Sequence, residues 1–216
     1  AWDKGQFTYE PPKIVSGDAE KAIKDSDLVV KGEIACGGQD HFYLESQIAL
    51  AIPGEGSDML VYSSTQHPTE VQHGVSRVLG INQNDVTVEV RRMGGAFGGK
   101  ESQSTIVGAI AAILADKCCK PVKLRLRRDD DMIATGKRHD FLFKYQVGFN
   151  PIGKIEGAII DMAARSGNVA DLSAGVIGRA LCHGDNAYFI PHTLFRGWPC
   201  KTNTVSNTAF RGFGSP

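Results

Sequence analysis

The side chains that could do chemistry sit in or near glycine clusters. Glu101 closes the run Arg92-Met93-Gly94-Gly95-Ala96-Phe97-Gly98-Gly99-Lys100-Glu101. Four glycines around Phe97 let a backbone approach a ligand closely, and free N–H groups at a following helix start favour an anionic ligand there. Arg179 lies in an otherwise apolar stretch, Gly178-Arg179-Ala180-Leu181, where a fixed guanidinium can hold an anionic oxygen. Gln39, in the turn Gly37-Gly38-Gln39-Asp40, carries an amide that can donate to an oxygen ligand. Phe210 and Phe213 flank Arg211 in a second glycine-rich loop, where an aromatic face can meet a planar ligand. Each also has a plain structural explanation. A carboxylate in the first turn of a helix is stabilised by the helix dipole, an arginine can snorkel to the surface, a glutamine is a common turn residue, and loop phenylalanines anchor loops. The glycine run is not a P-loop: it lacks the G-x-x-x-x-G-K-[ST] spacing, and Glu101 stands where the hydroxyl residue would be.

These groups need elements to position them. The alternating run Asp85 to Val90 predicts a strand before the glycine loop, within a span of 85–92. Ile106, Ile110, Ile113 and Leu114 predict a buried helix over 101–118 after it. Upstream, Pro11-Pro12 points to an extended lead-in over 1–26, with a short helix capped near Asp18. Strands are expected over Leu28 to Ala35, over His41 to Ile52 and over Met59 to Ser63. Pro68 opens a helix that Gly80 ends. Further on, Val122 to Arg127 alternates as a strand, and Asp129 to Gly136 reads as an acidic, solvated turn or short helix. Phe141 to Phe149 and Lys154 to Ala164 read as a hairpin around Asn150-Pro151-Ile152-Gly153. Asp171 to His183 reads as a glycine-interrupted helix, and 184–208 as irregular or short-stranded. Strands and helices mix without strict βαβ alternation, so the fold class is α+β, mixed sheets with packed helices.

Composition narrows the partners. The 216 residues carry no net formal charge, which argues against a nucleic-acid partner. No apolar run is long enough to span a bilayer. The odd cysteine count, with no C-x-x-C, predicts neither a disulfide framework nor iron–sulfur or zinc ligation, and points to the cytoplasm. The six histidines lack metal-ligand spacing and read as surface or packing residues. The last residues, Arg211-Gly212-Phe213-Gly214-Ser215-Pro216, fall in the middle of a glycine–aromatic loop, and the chain reads as a piece of a larger protein.

Four segments in order carry a resemblance. They are Gly37 to Glu45, Arg92 to Glu101, Asp131-Met132 with Thr135 to His139, and Asn207 to Gly214. Together they closely resemble the molybdenum-cofactor portion of the xanthine dehydrogenase and aldehyde oxidase family, in a bacterial form. The resemblance implies that residues 27–216 are the first part of a molybdopterin-binding domain that continues further. It implies hydroxylation of a carbon beside nitrogen, or of an aldehyde carbon, with oxygen from water. Molybdenum would be held through the pterin rather than by protein ligands, and 2Fe-2S clusters and FAD would sit on other domains or subunits. By the same analogy Gln39 contacts an oxygen ligand of molybdenum, and the backbone at Phe97, Gly98 and Arg211 lines the cofactor. Phe213 lies against the substrate ring, and Leu172 forms an apolar wall. Glu101 and Arg179 match the purine-type members and carry the catalytic roles. A placed cation stabilises negative charge that grows on a purine during attack. Ala96 departs from the glycine common in xanthine-type members. The family's glutamate base lies in a segment not present here, so the chain alone is expected to be inactive. The rival readings are a molybdenum hydroxylase for another N-heterocycle or an aldehyde, and a non-catalytic scaffold fragment.

Overall fold

The computed structural model describes residues 1–215, which form two compact units. The first gathers Ala1–Gln39, Arg138–Asn207 and the residues from Gly212; the second holds Asp40–Lys137 and Thr208–Arg211.

The first unit is built on a five-stranded sheet of β1 (Lys13–Ser16), β9 (His192–Lys201), β8 (Ile155–Gly167), β7 (Phe141–Phe149) and β2 (Leu28–Cys36), in that spatial order. All neighbours are antiparallel except β8 and β9, which run parallel and are joined through α5 (Ser173–Cys182). A parallel pair needs such a crossover, because a tight turn cannot return the chain in the same direction. One core cluster joins Met162, Phe195, Ile177, Ala180 and Leu181. A smaller cluster sets Ala19 and Ile23 of α1 (Ala19–Asp25) against Ile159. The Asp18 carboxylate accepts the Lys21 N–H at 2.9 Å and caps α1.

The second unit carries a four-stranded sheet ordered β5 (Val86–Glu89), β4 (Met59–Ser63), β3 (Ile48–Pro53), β6 (Val122–Arg125). Here β4 and β5 form the parallel pair, joined through α2 (Pro68–Leu79), which ends at left-handed Gly80 (φ 69°). The helices α3 (Gln103–Cys118) and α4 (Arg128–Ala134) complete it. Its core is made of small residues: Ala49, Ala51, Val61, Val71, Val75, Val107, Ala111, Ala112 and Ala115.

Several sequence expectations are corrected. The opening segment carries the expected helix capped by Asp18 and, beyond that expectation, an edge strand paired with β9. The predicted strand from His41 is ordered as a ladder only from Ile48. Phe42 is left-handed (φ 47°), and the stretch through Gln47 spends its polar groups on α4 and the glycine loop instead of a neighbouring strand. Residues 192–201 form a ten-residue strand that Gly197 and Pro199 disguised. The helix after the glycine loop starts at Gln103, and its buried face is the opposite one. Ile106, Ile110 and Leu114 are exposed, while Val107, Gly108, Ala111, Ala112 and Ala115 are buried. Close approach explains this: a Cβ on Gly108 would lie 2.9 Å from Val71 Cγ1, so α2 and α3 pack closer than large side chains permit. Among the described residues no helix is long and apolar enough to cross a membrane.

Candidate functional site

In the second unit the glycine run makes a tight, irregular turn. Gly95, Phe97 and Gly98 all have positive φ (97°, 55° and 101°). A side chain at Gly98 has no room, since its Cβ would lie 2.7 Å from the Ala209 carbonyl oxygen and 3.1 Å from Phe210 Cα. The Arg211 N–H donates to the Phe97 carbonyl at 2.8 Å. Phe97, Gly98 and the backbone of Arg211 are therefore brought together. His41 helps hold this contact: its ring stacks on Phe210 with centroids 4.6 Å apart, and Nε2 lies 2.6 Å from the Ala209 oxygen. Among the described residues the Ala96 and Phe97 N–H groups donate to no partner, and the Phe97 ring is 47% exposed.

Side chains from two neighbouring segments hold the loop from behind. Gln47 Nε2 donates to the Gly99 carbonyl at 2.8 Å. Gln66 Oε1 accepts the Gly98 N–H at 2.9 Å and the Lys100 N–H at 3.4 Å, which leaves its NH₂ without an acceptor among the described residues. Lys100 is fully buried, and Nζ donates to Glu45 Oε2 and to Ser64 Oγ, both at 2.9 Å. The same Glu45 oxygen accepts the Gly94 N–H at 3.1 Å and the Ser64 hydroxyl. Burial alone would raise the Glu45 carboxyl, but the bonds from Ser64, Lys100 and Gly94 outweigh it and set it below the ordinary range. Burial depresses Lys100, against the opposing pull of Glu45.

Asp131 corrects the reading of Asp129 to Asp131 as a wholly solvated turn. Only 2% exposed, it accepts the Tyr43 hydroxyl and the Gln47 N–H, each at 2.8 Å, and Thr135 Oγ1 at 3.0 Å. Burial first, then the Asp131 carboxylate, pushes the Tyr43 phenol far above its usual value. Glu101 lies just before Ser102, the N-cap of α3, rather than inside the first helical turn. It is half-buried, its N–H reaches the Gly98 carbonyl at 3.3 Å, and its carboxylate accepts no bond among the described residues. A cleft of about 450 Å³ in this unit is lined by Glu45, Ser64, Tyr62 and Arg91, and by none of the predicted site residues.

In the first unit α5 positions Leu172 and Arg179. Leu172 is its half-buried N-cap residue, preceded by left-handed Asp171 (φ 43°). Arg179 is exposed; Nε donates to Ser215 Oγ at 3.1 Å, and it forms no ion pair among the described residues. The second glycine loop packs on this helix. Gly212, Phe213 and Gly214 have φ of 97°, 50° and 95°. A Cβ at Gly214 would lie 2.2 Å from the Val176 carbonyl oxygen, and one at Gly175 would lie 2.9 Å from the Phe213 ring. Buried His139 ties the start of α5, with Nε2 2.7 Å from Ser173 Oγ. Burial lowers its pKa to about 4, so the ring is neutral. Gln39, in the same unit, is exposed; its Oε1 accepts from Arg138 Nε at 3.3 Å.

Sequence reasoning missed Lys100, Glu45, Gln66 and Asp131 as members of this machinery. The signal for Lys100 was its place inside the glycine run, where a buried ammonium needs a carboxylate partner. Gln66 offered no comparable signal. Among the described residues no three His, Cys, Asp or Glu side chains form a metal-binding group.

The fold places the chain in a class. It superposes on the aldehyde oxidoreductase of Desulfovibrio desulfuricans with a TM-score of 0.87 at 22% identity, over 96% of this chain and 23% of that one. Its sequence matches the family model described as molybdopterin cofactor-binding domain over residues 3–216, and the chain belongs to that family. It is 47% identical to xanthine dehydrogenase/oxidase of Gallus gallus, over 100% of this chain and 16% of that protein. It is 45% identical to a nicotinate hydroxylase of Emericella nidulans, over 95% of this chain and 15% of that protein. The chain thus spans about a sixth of the length of the curated relatives it matches. Molybdopterin is the cofactor of the family. The residues present fit it: two unused backbone donors at Ala96 and Phe97, and the amide of Gln66.

Proposed function

We propose that the chain is part of a molybdenum hydroxylase that oxidises hypoxanthine and xanthine to xanthine and urate, with water supplying the oxygen. The bound cofactor would supply the redox chemistry, and 2Fe-2S clusters and FAD on other domains would carry electrons away. The backbone at Phe97, Gly98 and Arg211 would hold the cofactor. Gln39 was the sequence candidate for the amide beside its oxygen ligand. Gln66, whose carbonyl end is held by the glycine loop, offers a second amide of the same kind. Phe213 and Leu172 would flank the flat ring.

The single observation that carries the purine reading is the state of two charges. Glu101 and Arg179 leave a carboxylate and a guanidinium without an ionic partner among the described residues, although Lys100, next to Glu101 in the chain, is paired with Glu45. A ring with nitrogens and exocyclic oxygens can use both: the carboxyl binds a ring N–H, and the guanidinium holds an oxygen on which charge grows. In the full-length enzyme Glu101→Ala or Arg179→Met is expected to lower kcat/KM for xanthine by roughly 100-fold or more, as loss of a transition-state contact does. Turnover of a simple aldehyde should change far less. Equal losses on both substrates would remove these roles. The 45% identity to a nicotinate hydroxylase supports a second reading, a hydroxylase for another N-heterocycle. Turnover of a pyridine carboxylate without turnover of hypoxanthine would select it.

A further inference from the structure

Lys100 has no polar atom to spare. Its N–H donates to Gln66 Oε1 at 3.4 Å, and its carbonyl accepts from Gln66 N, Thr65 Oγ1 and Ser104 Oγ at 2.9, 3.1 and 3.0 Å. Its ammonium has zero exposure and meets Glu45, Ser64 and the face of Tyr43, whose ring centroid is 4.7 Å away. Glu45 in turn grips the other end of the glycine run. Its carboxylate accepts the Gly94 N–H, and its own N–H donates to the Gly94 carbonyl at 3.1 Å. One ion pair therefore closes a ring from Gly94 to Lys100 around Ala96, Phe97 and Gly98. Lys100 is wholly buried while the Glu45 side chain keeps 36% of its surface exposed, so the cost of desolvating the ammonium offsets much of an attraction that water already weakens at the carboxylate. A well-packed apolar residue would serve stability as well. What the pair supplies is direction, since a carboxylate taking three donors allows few other geometries.

We propose that Lys100 and Glu45 form an ionic latch whose task is to position the glycine loop for cofactor binding. In this role they act through the loop, as positioning residues. The proposal rests on the chain's membership of the molybdopterin-binding family and not on the purine reading. Its failure and the failure of that reading are therefore separate events.

The test uses the full-length enzyme and the variants Lys100→Met, Glu45→Gln and the double variant. Each single change leaves one partner without its counter-charge, and either single variant is expected to be the less soluble protein. The double variant removes both charges and keeps the volume. Two quantities are read: molybdenum and pterin per polypeptide, and amide hydrogen exchange by residue. In the double variant we expect at least fivefold less molybdenum and pterin. Exchange at Gly94 and Gly98 should rise at least tenfold, while the core amides of β3, β4 and α3 keep parental rates. Parental loop exchange with parental cofactor content would overturn the latch. Exchange raised equally through β3, β4 and α3 would also overturn it, because the pair would then be a general stabiliser. A Ser64→Ala variant, which keeps both charges and removes one Lys100 partner, should show the same pattern at smaller amplitude. No change in its loop exchange would count against the ring of contacts described here.

Discussion

The two glycine–aromatic loops solve one backbone problem by different means. Both place a phenylalanine in the left-handed region beside glycines near +100°: Phe97 between Gly95 and Gly98, and Phe213 between Gly212 and Gly214. Left-handed geometry costs an L-residue about 1–2 kcal/mol, so each loop needs outside support. In the first loop the support is polar, from Glu45, Gln47, Gln66 and Lys100. In the second it is steric. Gly214 fits against the Val176 carbonyl with no room for a methyl group, and Phe213 lies against Gly175. Similar backbone angles are thus held by directional hydrogen bonds added to close packing in one unit, and mainly by shape in the other.

That contrast can be broken most severely at the glycines. Gly214→Ala would force a Cβ to 2.2 Å from a helical carbonyl oxygen at a φ of +95°. Strain and overpacking together should cost roughly 3–5 kcal/mol, read as a shift in the denaturant midpoint. Gly98→Ala meets the Ala209 oxygen at 2.7 Å and should cost somewhat less. The reverse order would mean that the first loop is the more tightly packed of the two.

The next effect concerns the helix that supports the second loop. His139 has a folded pKa of about 4 against 6.5 unfolded, so the unfolded chain binds its proton first as the medium acidifies. Its neutral, buried state is fully favourable above about pH 6.5, and stability is lost as pH falls from there towards 4. The whole shift corresponds to about 3 kcal/mol. His139→Gln should flatten this part of the stability profile between pH 7 and 4 in urea titrations. An unchanged slope would show that His139 does not carry it. Smallest of all, Gly175→Ala gains helix propensity while nudging the Phe213 ring, so stability should move by less than about 1 kcal/mol. If Phe213 flanks the substrate, KM for the purine should nonetheless rise, and an unchanged KM would separate the ring from the site.

How much of this was legible beforehand depended on how local each signal is. The helix from Pro68 to Leu79 and the strand from Phe141 to Phe149 were readable because proline, glycine and alternation mark their ends within the chain itself. The glycine run and the second glycine–aromatic loop were legible as motifs, whereas the bond from Arg211 to Phe97 is a long-range contact that no local pattern records. The inward face of α3 was not, because alanines and glycine face the core there and larger isoleucines point outward. Lys100 and Asp131 read as ordinary charged residues, since what buries them is contributed by residues as far away as Glu45 and Gln47. The segment 41–47 has strand-like alternation, yet it is claimed by side-chain bonds that no periodicity records.

The short return of Thr208–Arg211 into the second unit has a consequence for biosynthesis. That unit is otherwise complete at Lys137, but the carbonyl that meets His41 and the N–H that meets Phe97 belong to residues made seventy positions later. A nascent polypeptide emerging from the ribosome must therefore hold the glycine loop without these contacts while the whole β7–β8–α5–β9 segment is translated. The loop's last contacts, from Ala209 and Arg211, can form only when those four residues arrive.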